Sequence, residues 1–480
     1  MVPGAAGTRW TAGGPRAGDH YADRPMSPPA RFEPDSFRTF RATTRSYDPG
    51  ARTVTLRYAL DERVEFVETV TFESAGGDRP APTGPGFERA LVHLHVAAGT
   101  SYYKTAAPPE VTVEDALLTP AELDVHRHLY DEGLREFAVT NGLPVPRPVR
   151  VANGPGPGDG TTAPPPTGNL RPGLVVPIGG GKDSLVLMES VRHLAPRLFA
   201  VNPHPLVVDL AAEAGLELLV VRRRLDPQLA ELHGSGARNG HVPITAIVSL
   251  IAVVGAFVHG YDTVAMAVER SASEETVSVD GVPVNHQYAK SREFELLLAD
   301  LLTTTVSAGL TYGSALRPYS ELAISRAFAG LTRYRGTFCS CNTAYRQDAA
   351  PDARWCGNCP KCRFVGLMLA PFLPREALTG IIGRDLFADP DQVPGFAALM
   401  SDVDKPFECV GERRESAVAL RMLAGDDRWR DSPVVAALAP VARALVGEAD
   451  IAEVLAPRDD LAFPDRGVAD AVARLLAGER

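Results

Sequence analysis

The chain has 480 residues, of which 45% are hydrophobic and 22% charged, a balance typical of soluble globular proteins with roughly two to four domains. Its net charge of −10 argues against a large nucleic-acid-binding surface, which is normally basic. Residues 1–36 contain no apolar run of the signal-peptide kind, and the longest apolar stretch, 244–258, is shorter than a membrane span and predicts a buried helix. We therefore expect a cytoplasmic protein with no nucleic-acid or membrane partner, and no segment indicates a protein partner.

The N-terminal part of the sequence predicts a tail followed by an α+β module. Residues 1–36 lack any regular apolar pattern and predict a disordered tail. Residues 38–73 alternate apolar and polar side chains around the turn-forming YDPGA, which predicts three strands. Helical spacing follows from 88 to 143. We expect these elements to form one module over residues 37–150.

A linker and two further regions come next. Residues 153–173 contain 12 Gly or Pro in 21 positions, so we interpret 151–172 as a linker. From there on, short apolar runs alternate with helical spacing, the pattern of an α/β protein with a doubly wound parallel sheet. We expect this catalytic domain to cover residues 173–414, and residues 415–480 to form a helical C-terminal region.

Three consecutive glycines, 179–181, stand between the first strand of that sheet and a helix expected at about 184–194. Ligands bind beyond the carboxyl ends of parallel strands. The N–H groups of successive glycines, together with the N-terminus of a helix, can surround a phosphate, and Lys182 would add a positive charge. The stretch therefore predicts a phosphate-binding loop.

This loop fits neither of the two commonest phosphate motifs. A Walker A motif needs a glycine where Val176 stands, and a dinucleotide motif needs one at Ser184. The loop instead resembles the pyrophosphate loop (PP-loop) of the N-type ATP-pyrophosphatase superfamily, whose fold is HUP-like, although that family commonly has serine at the first position. The matching residues are Gly179, Gly180, Gly181, Lys182, Asp183 and Ser184. The resemblance implies that they bind ATP, that ATP is cleaved to AMP and diphosphate, and that Asp183 helps to hold Mg²⁺.

Five of the six cysteines lie within residues 339–362. Their two-residue gaps allow several thiolates to bind one ion, and Gly357 permits the tight turn this needs. Four thiolates around one ion are typical of structural Zn²⁺, with an iron–sulfur cluster as the alternative. The run is similar to the zinc site of cyano-deazaguanine synthase, another PP-loop enzyme. That similarity implies as ligands Cys341, Cys356, Cys359 and Cys362, with Cys339 as the competitor for the place of Cys341.

Four other segments combine residue types suited to acid–base or anion-binding chemistry: AVERSASEE, NHQYAKS, PFECVGERRES and, in the N-terminal module, TSYYKT. The candidate catalytic residues in them are Glu269, Arg270, Lys290, Glu408, Cys409 and Lys104. The first segment follows a predicted strand, so its side chains should reach the edge that carries the glycines. Each residue also has a structural interpretation, as an ion pair in an exposed loop or, for Cys409, as a small buried apolar side chain.

Taken together, GGGKDS, VERSASEE, NHQYAKS, the cysteine cluster and PFECVGERRES resemble the MurL-type UDP-N-acetyl-α-D-muramoyl-L-alanyl-L-glutamate epimerases, over residues 38–425. The resemblance implies an isomerase of peptidoglycan precursor biosynthesis. Such an enzyme inverts the terminal L-Glu of UDP-MurNAc-L-Ala-L-Glu, a nucleotide-sugar peptide, and consumes ATP and Mg²⁺. Adenylation would cancel the carboxylate charge and acidify the α-proton.

The sequence does not decide which residue is the base that takes this proton. The candidates are Lys290, Lys104, Glu408 and Cys409. Arginines such as Arg270 would suit the carboxylates or diphosphate of the substrate. The alternatives to the epimerase are another PP-loop adenylating enzyme, either an amide ligase or a base modifier similar to cyano-deazaguanine synthase, and a zinc-stabilised nucleotide sensor without turnover.

Overall fold

The computed structural model describes residues 31–73, 80–154, 170–344 and 354–479. Most of the predicted tail 1–36, most of the predicted linker 151–172 and part of the cysteine loop lie outside these ranges. Within the described residues, none of the helices combines the length and the apolar character needed to cross a membrane.

Twelve strands are found in the described residues. They are β1 (Thr39–Asp48), β2 (Thr53–Leu60), β3 (Val64–Phe72), β4 (Glu110–Val113), β5 (Arg150–Asn153), β6 (Arg171–Pro177), β7 (Arg197–Val201), β8 (Leu218–Arg224), β9 (Tyr261–Met266), β10 (Val277–Val279), β11 (Val282–Val284) and β12 (Thr311–Ser314). β10 and β11 form a separate hairpin, and the other ten form one sheet.

Seventeen α-helices are found in the same ranges. They are α1 (Pro85–Ala98), α2 (Thr100–Tyr103), α3 (Pro120–Asp131), α4 (Arg135–Thr140), α5 (Lys182–Ser190), α6 (Pro205–Ala214), α7 (Gln228–Ser235), α8 (Ile244–His259), α9 (Arg292–Leu301), α10 (Glu321–Ala329), α11 (Pro360–Leu369), α12 (Arg375–Ile382), α13 (Val393–Ala398), α14 (Arg413–Ala424), α15 (Pro433–Leu445), α16 (Glu448–Leu455) and α17 (Arg466–Ala477). The predicted buried helix is α8, and the helical C-terminal region is confirmed.

The large sheet has the strand order β12-β9-β6-β7-β8-β3-β2-β1-β4-β5. The first five strands are parallel, which confirms the predicted α/β sheet. The strands of the N-terminal module do not form a sheet of their own, because β3 pairs antiparallel with β8 and continues the same sheet. The N-terminal strands therefore extend the parallel part of the sheet, and β3 covers the edge of β8.

Helices cover both faces of the sheet, as a doubly wound fold requires. Val175 of β6 and Phe199 of β7 belong to an apolar cluster with α1 and α8 on one face. Their neighbours Val176 and Leu198 belong to a second cluster with α5, α6, α10 and α14 on the other face. This alternation follows from the two-residue period of a strand, and it explains why these strands are almost entirely apolar.

The strand order reverses between β6 and β9. From β6 the chain proceeds outward to β7 and β8, whereas β9 and β12 lie on the opposite side. The crevice at the carboxyl ends of the two central strands is where ligands bind in such sheets. The three glycines follow β6 and Glu269 follows β9, so both segments lie at this switch point.

A buried ion pair joins the N-terminal strands to the rest of the sheet. Arg223 of β8 contacts Glu68 of β3 through two hydrogen bonds of 2.7 and 3.1 Å, and its guanidinium also donates to Ser101. The two side chains are 7% and 0% exposed. A charge at this depth depends on its partner, because water cannot replace it.

We therefore expect Arg223→Met to lower the free energy of unfolding by about 3–5 kcal/mol, because it leaves the Glu68 carboxylate buried without a counter-ion. Urea unfolding followed by circular dichroism measures the change. The matched control is Arg222→Met on the same strand, whose ion pair with Glu73 is half exposed. That variant should lose only about 0–1 kcal/mol. Equal losses in the two variants would contradict the importance of the buried pair.

Candidate active site

The glycine loop is built as a tight turn into α5. Gly180 is buried and has a φ of +85°, a conformation that side chains rarely adopt. A Cβ atom on Gly181 would lie 2.9 Å from the hydroxyl of Ser340, so a side chain there would require that hydroxyl to move. Gly179 is exposed, and a Cβ atom there would meet nothing within 4 Å. The loop thus presents its backbone at the N-terminus of α5, where the helix dipole favours an anion.

The lysine of this loop is ion-paired with carboxylates of the protein rather than exposed to solvent. Its ammonium is 1% exposed and lies between Asp183 and Glu321, the first residue of α10. Burial alone would lower the pKa of Lys182, but the two carboxylates raise it above its usual value. Lys182 therefore supplies positive charge next to the glycine loop, and its predicted contact with a phosphate stays a prediction.

Negative charge is in excess around this lysine. Burial and the charge of Asp183 raise the pKa of Glu321 to about 7. The charge of Glu269, which is itself buried, acts in the same direction. Glu415 of α14 accepts a hydrogen bond from the N–H of Leu322 through one oxygen, while its other oxygen is buried with no partner among the described residues. Carboxylate oxygens in excess are the ligands that Mg²⁺ prefers.

A fully buried arginine after β12 holds two of the predicted catalytic segments. The guanidinium of Arg317 donates to the carbonyl oxygens of Glu269 (2.6 Å) and Lys290 (2.7 Å). It also forms an ion pair of 2.7 Å with Glu295 of α9 and is 1% exposed. The backbone at Glu269 and at Lys290 is thus fixed to the same end of the sheet.

Lys290 and His286 both act on the thiol of Cys409. The ammonium of Lys290 lies 3.1 Å from Sγ, and the imidazole of His286 favours the ionised form of the same group. Burial opposes ionisation, but the Lys290 charge and the His286 hydrogen bond lower the pKa of Cys409 to about 6. The carbonyl of Cys409 accepts a hydrogen bond of 2.5 Å from Lys361. A thiol in such surroundings is mostly thiolate at neutral pH.

His286 is held in turn by the N-terminal part of the chain. Its Nδ1 forms a hydrogen bond with the carboxylate of Glu136, on α4. Burial opposes protonation, but the bonds to Cys409 and Glu136 raise the pKa of His286 to about 9. The ring of His241 lies against that of His286, with centroids 4.5 Å apart. Burial and the His286 charge lower the pKa of His241 to about 4, so His241 is neutral.

Four of the predicted metal ligands form a compact cluster. The sulfur atoms of Cys341, Cys356, Cys359 and Cys362 all lie within 4.8 Å of one another. Three sulfur pairs are separated by 3.9, 3.8 and 3.5 Å. Tetrahedral Zn²⁺ with Zn–S bonds of about 2.3 Å needs separations of about 3.8 Å, so the cluster fits this ion. Gly357 has a φ of +65° and makes the turn that brings two of the sulfurs together.

The fifth cysteine of the run is turned away from this cluster. The thiol of Cys339 donates to the carbonyl of Arg354 at 2.8 Å. Its backbone N–H donates to the carbonyl of Gly180 at 3.1 Å, which ties the cysteine loop to the glycine loop. On the other side, Asn342 donates to Glu408 at 2.9 Å. The cysteine loop therefore contacts both the glycine loop and the segment that carries Cys409.

Two predicted catalytic residues lie apart from the Cys409 group. The Lys104 ammonium donates to Asn239 (2.6 Å) and to the carbonyl of Gly240 (3.2 Å), and burial lowers its pKa. Arg270 donates to the carbonyls of Val454 (2.7 Å) and Ala456 (3.1 Å) at the end of α16. The structure gives Arg270 the place of a helix cap, where the sequence analysis expected it to bind substrate anions.

Sequence reasoning missed Arg317, Glu321 and Glu136. The first two follow β12, a strand of only four residues (TYGS) that contains no run of large apolar side chains. Recognising it as the last parallel strand would have placed both residues at the ligand-binding edge. Glu136 lies about 150 residues before His286, and nothing in the local pattern relates the two.

Comparison with known proteins identifies the family. Residues 31–315 match the MurL N-terminal domain, and residues 337–452 match the MurL C-terminal domain. The first of these matches runs through the predicted linker and into the parallel strands. No significant match was found among solved structures.

Three curated relatives carry the name UDP-N-acetyl-alpha-D-muramoyl-L-alanyl-L-glutamate epimerase. The protein of Salinispora tropica is 43% identical over 83% of this chain and 88% of its own length. The protein of Micromonospora sp. is 44% identical over 79% of this chain and 86% of its own length. That of Xanthomonas oryzae pv. oryzae is 40% identical over 84% and 90%. Together with the two domain matches, these similarities show that the chain belongs to the MurL family.

Proposed function

We propose that the protein is an ATP-dependent epimerase that converts the terminal L-Glu of UDP-MurNAc-L-Ala-L-Glu to D-Glu through an acyl-adenylate. The observation that carries this proposal is the near full-length similarity to relatives named for that epimerisation. The geometry supports it, because one crevice holds an anion-binding loop, a group of carboxylates and an activated thiol. The product is a precursor for peptidoglycan.

Adenylation overcomes the main barrier to this reaction. Removing the α-proton of a free carboxylate creates a dianion, which is very unstable. When the carboxylate attacks the α-phosphorus of ATP, diphosphate leaves and the acyl group becomes neutral. A base can then take the α-proton, a proton returns to the opposite face, and water releases AMP and the D-glutamyl product.

The glycine loop suits the diphosphate of ATP. The first turn of α5, directly after the glycines, offers backbone N–H groups at a helix N-terminus. Asp183, with Glu321 and Glu269 nearby, suits Mg²⁺, because Asp183 and Glu321 share Lys182 as their ion-pair partner and the charge of Glu269 adds to theirs. Bound Mg²⁺ supplies charge neutralisation for the departing diphosphate.

The cysteine cluster suits a structural metal ion. Four thiolates leave no open coordination position for substrate, so a Zn²⁺ ion here would hold the loop and take no part in the reaction. Its contacts with Gly180 and with the residues beside Cys409 support a role in fixing two parts of the active site.

The first test is incubation with UDP-MurNAc-L-Ala-L-Glu, ATP and Mg²⁺ in heavy water. We expect one deuterium at the glutamate α-carbon, because the returning proton comes from solvent, and AMP with diphosphate as the nucleotide products. Mass spectrometry and chiral amino-acid analysis measure these outcomes. Formation of ADP would contradict the acyl-adenylate.

The second test concerns the glycine loop. Gly180→Ala should abolish ATP–pyrophosphate exchange, because a side chain at φ +85° forces the loop out of shape. The matched control is Gly215→Ala, at a φ of +67° after α6, where a Cβ atom meets nothing within 4 Å. It carries a similar backbone strain of about 1–2 kcal/mol but should retain exchange. Exchange that survives in Gly180→Ala would place the diphosphate elsewhere.

The third test concerns the metal. We expect one zinc per chain by elemental analysis, with Cys341→Ser losing it and showing a lower melting temperature. Cys339→Ser should keep the metal, since its thiol points to Arg354. Iron with sulfide, or zinc lost only from Cys339→Ser, would contradict this assignment.

A further inference from the structure

We propose that Cys409 is the base that removes the glutamyl α-proton, and that Glu136 is a positioning residue that keeps the neighbouring His286 charged. This inference rests on the proposed epimerase function and adds to it the identity of the base. It also gives the N-terminal part of the chain, which supplies Glu136, a role in the reaction.

The surroundings of Cys409 are those of an ionised thiol. The ammonium of Lys290 lies 3.1 Å from the sulfur, and His286, four residues earlier in the same segment, also favours its ionised form. Lys361 of α11 binds the carbonyl of the same residue. These three groups come from two different elements that converge on Cys409. An isolated buried cysteine would have a raised pKa and would be inert.

The other candidate bases are less suited to this role. Burial favours a neutral Lys290, but the negative charges of Cys409 and Glu269 raise its pKa, so the ammonium has no free electron pair. Glu408 accepts a hydrogen bond from Asn342 of the cysteine loop. Lys104 is bonded to Asn239 and to the carbonyl of Gly240. Among the four, Cys409 is the one whose proton-accepting atom has an ammonium within 3.1 Å in the described residues.

Glu136 acts on the sulfur through His286. Its carboxylate forms a hydrogen bond with Nδ1 of His286, and both side chains are largely buried, at 11% and 15% exposure. A carboxylate in this position stabilises the imidazolium, and the imidazolium in turn stabilises the thiolate. The ring of His241 lies tilted against that of His286 and is neutral, so it adds no competing charge. The arrangement links α4 to Cys409 across most of the length of the chain.

The chemical step is a proton transfer. The thiolate takes the α-proton of the glutamyl adenylate, a new S–H bond forms, and the electron pair of the C–H bond moves into the acyl group as an enolate. A proton from water is delivered to the opposite face, and the thiol returns its proton to solvent. No oxidant, reductant or covalent acyl-enzyme is needed.

The test separates adenylation from proton removal. Cys409→Ala and Cys409→Ser should retain substrate-dependent ATP–pyrophosphate exchange, which shows a folded enzyme. They should lose deuterium incorporation at the α-carbon by about 100-fold or more, the usual contribution of a general base. Deuterium incorporation that persists in Cys409→Ala would overturn the assignment. So would loss of both activities, or a thioester adduct of the wild-type chain detected by intact-protein mass spectrometry.

Glu136→Gln should lower the rate of deuterium incorporation through kcat, with little change in KM and with exchange retained. The rising limb of its pH profile should move to higher pH, because a less charged His286 leaves the thiol harder to ionise while Lys290 and Lys361 still face it. The matched control is Glu132→Gln, one turn earlier, whose carboxylate pairs with His128. An unmoved pH profile in Glu136→Gln, or an equal shift in Glu132→Gln, would overturn the positioning role.

These outcomes separate the two proposals. A wild-type enzyme that shows neither ATP–pyrophosphate exchange nor α-deuterium incorporation refutes the proposed function, and the base assignment falls with it. An active wild-type enzyme with active Cys409→Ala refutes the base assignment alone.

Discussion

The arrangement of the crevice at the carboxyl ends of β6 and β9 depends on the interactions of one buried side chain, the guanidinium of Arg317. It is ion-paired with Glu295 and donates to the carbonyls of Glu269 and Lys290, so one side chain fixes the ends of two separate loops. Loss of this side chain would leave two carbonyl groups without these donors and Glu295 with Arg292 as its remaining ion-pair partner. Both loops carry predicted site residues, and their relative position therefore depends on Arg317.

Charge divides this crevice into two parts. Around the glycine loop, Asp183 and Glu321 share Lys182, and the charge of Glu269 acts on the same group. Around Cys409, Lys290 and His286 provide positive charge, which favours a thiolate. Glu269 influences both parts, since its charge raises the pKa of Lys290 and of Glu321. The proposed reaction would use the first part for Mg²⁺ during adenylation and the second for proton removal.

The sequence predicted the features that depend on local pattern. Three such features are found in the structure. They are the three glycines between a strand and a helix, the cluster of closely spaced cysteines, and the unbroken apolar helix. Each is predicted by a local pattern for a physical reason of its own. The sequence did not predict short strands such as β4 and β12, whose four residues are too few for a period to emerge. The sequence also could not predict the role of Arg270. This side chain donates hydrogen bonds to two carbonyl groups at the end of a helix about 185 residues away.

The continuity of the sheet explains how the N-terminal part of the chain comes to supply a residue beside His286. A sheet ending at β8 would keep the glycines and the carboxylates but would have no Glu136 at this place. The antiparallel pairing of β3 with β8, stabilised by the buried Arg223–Glu68 pair, joins the N-terminal strands to the sheet that carries the switch point. In the proposed reaction, the elements that supply the thiolate and the adenylate site would share this hydrogen-bonded framework and so be aligned at one carboxyl group.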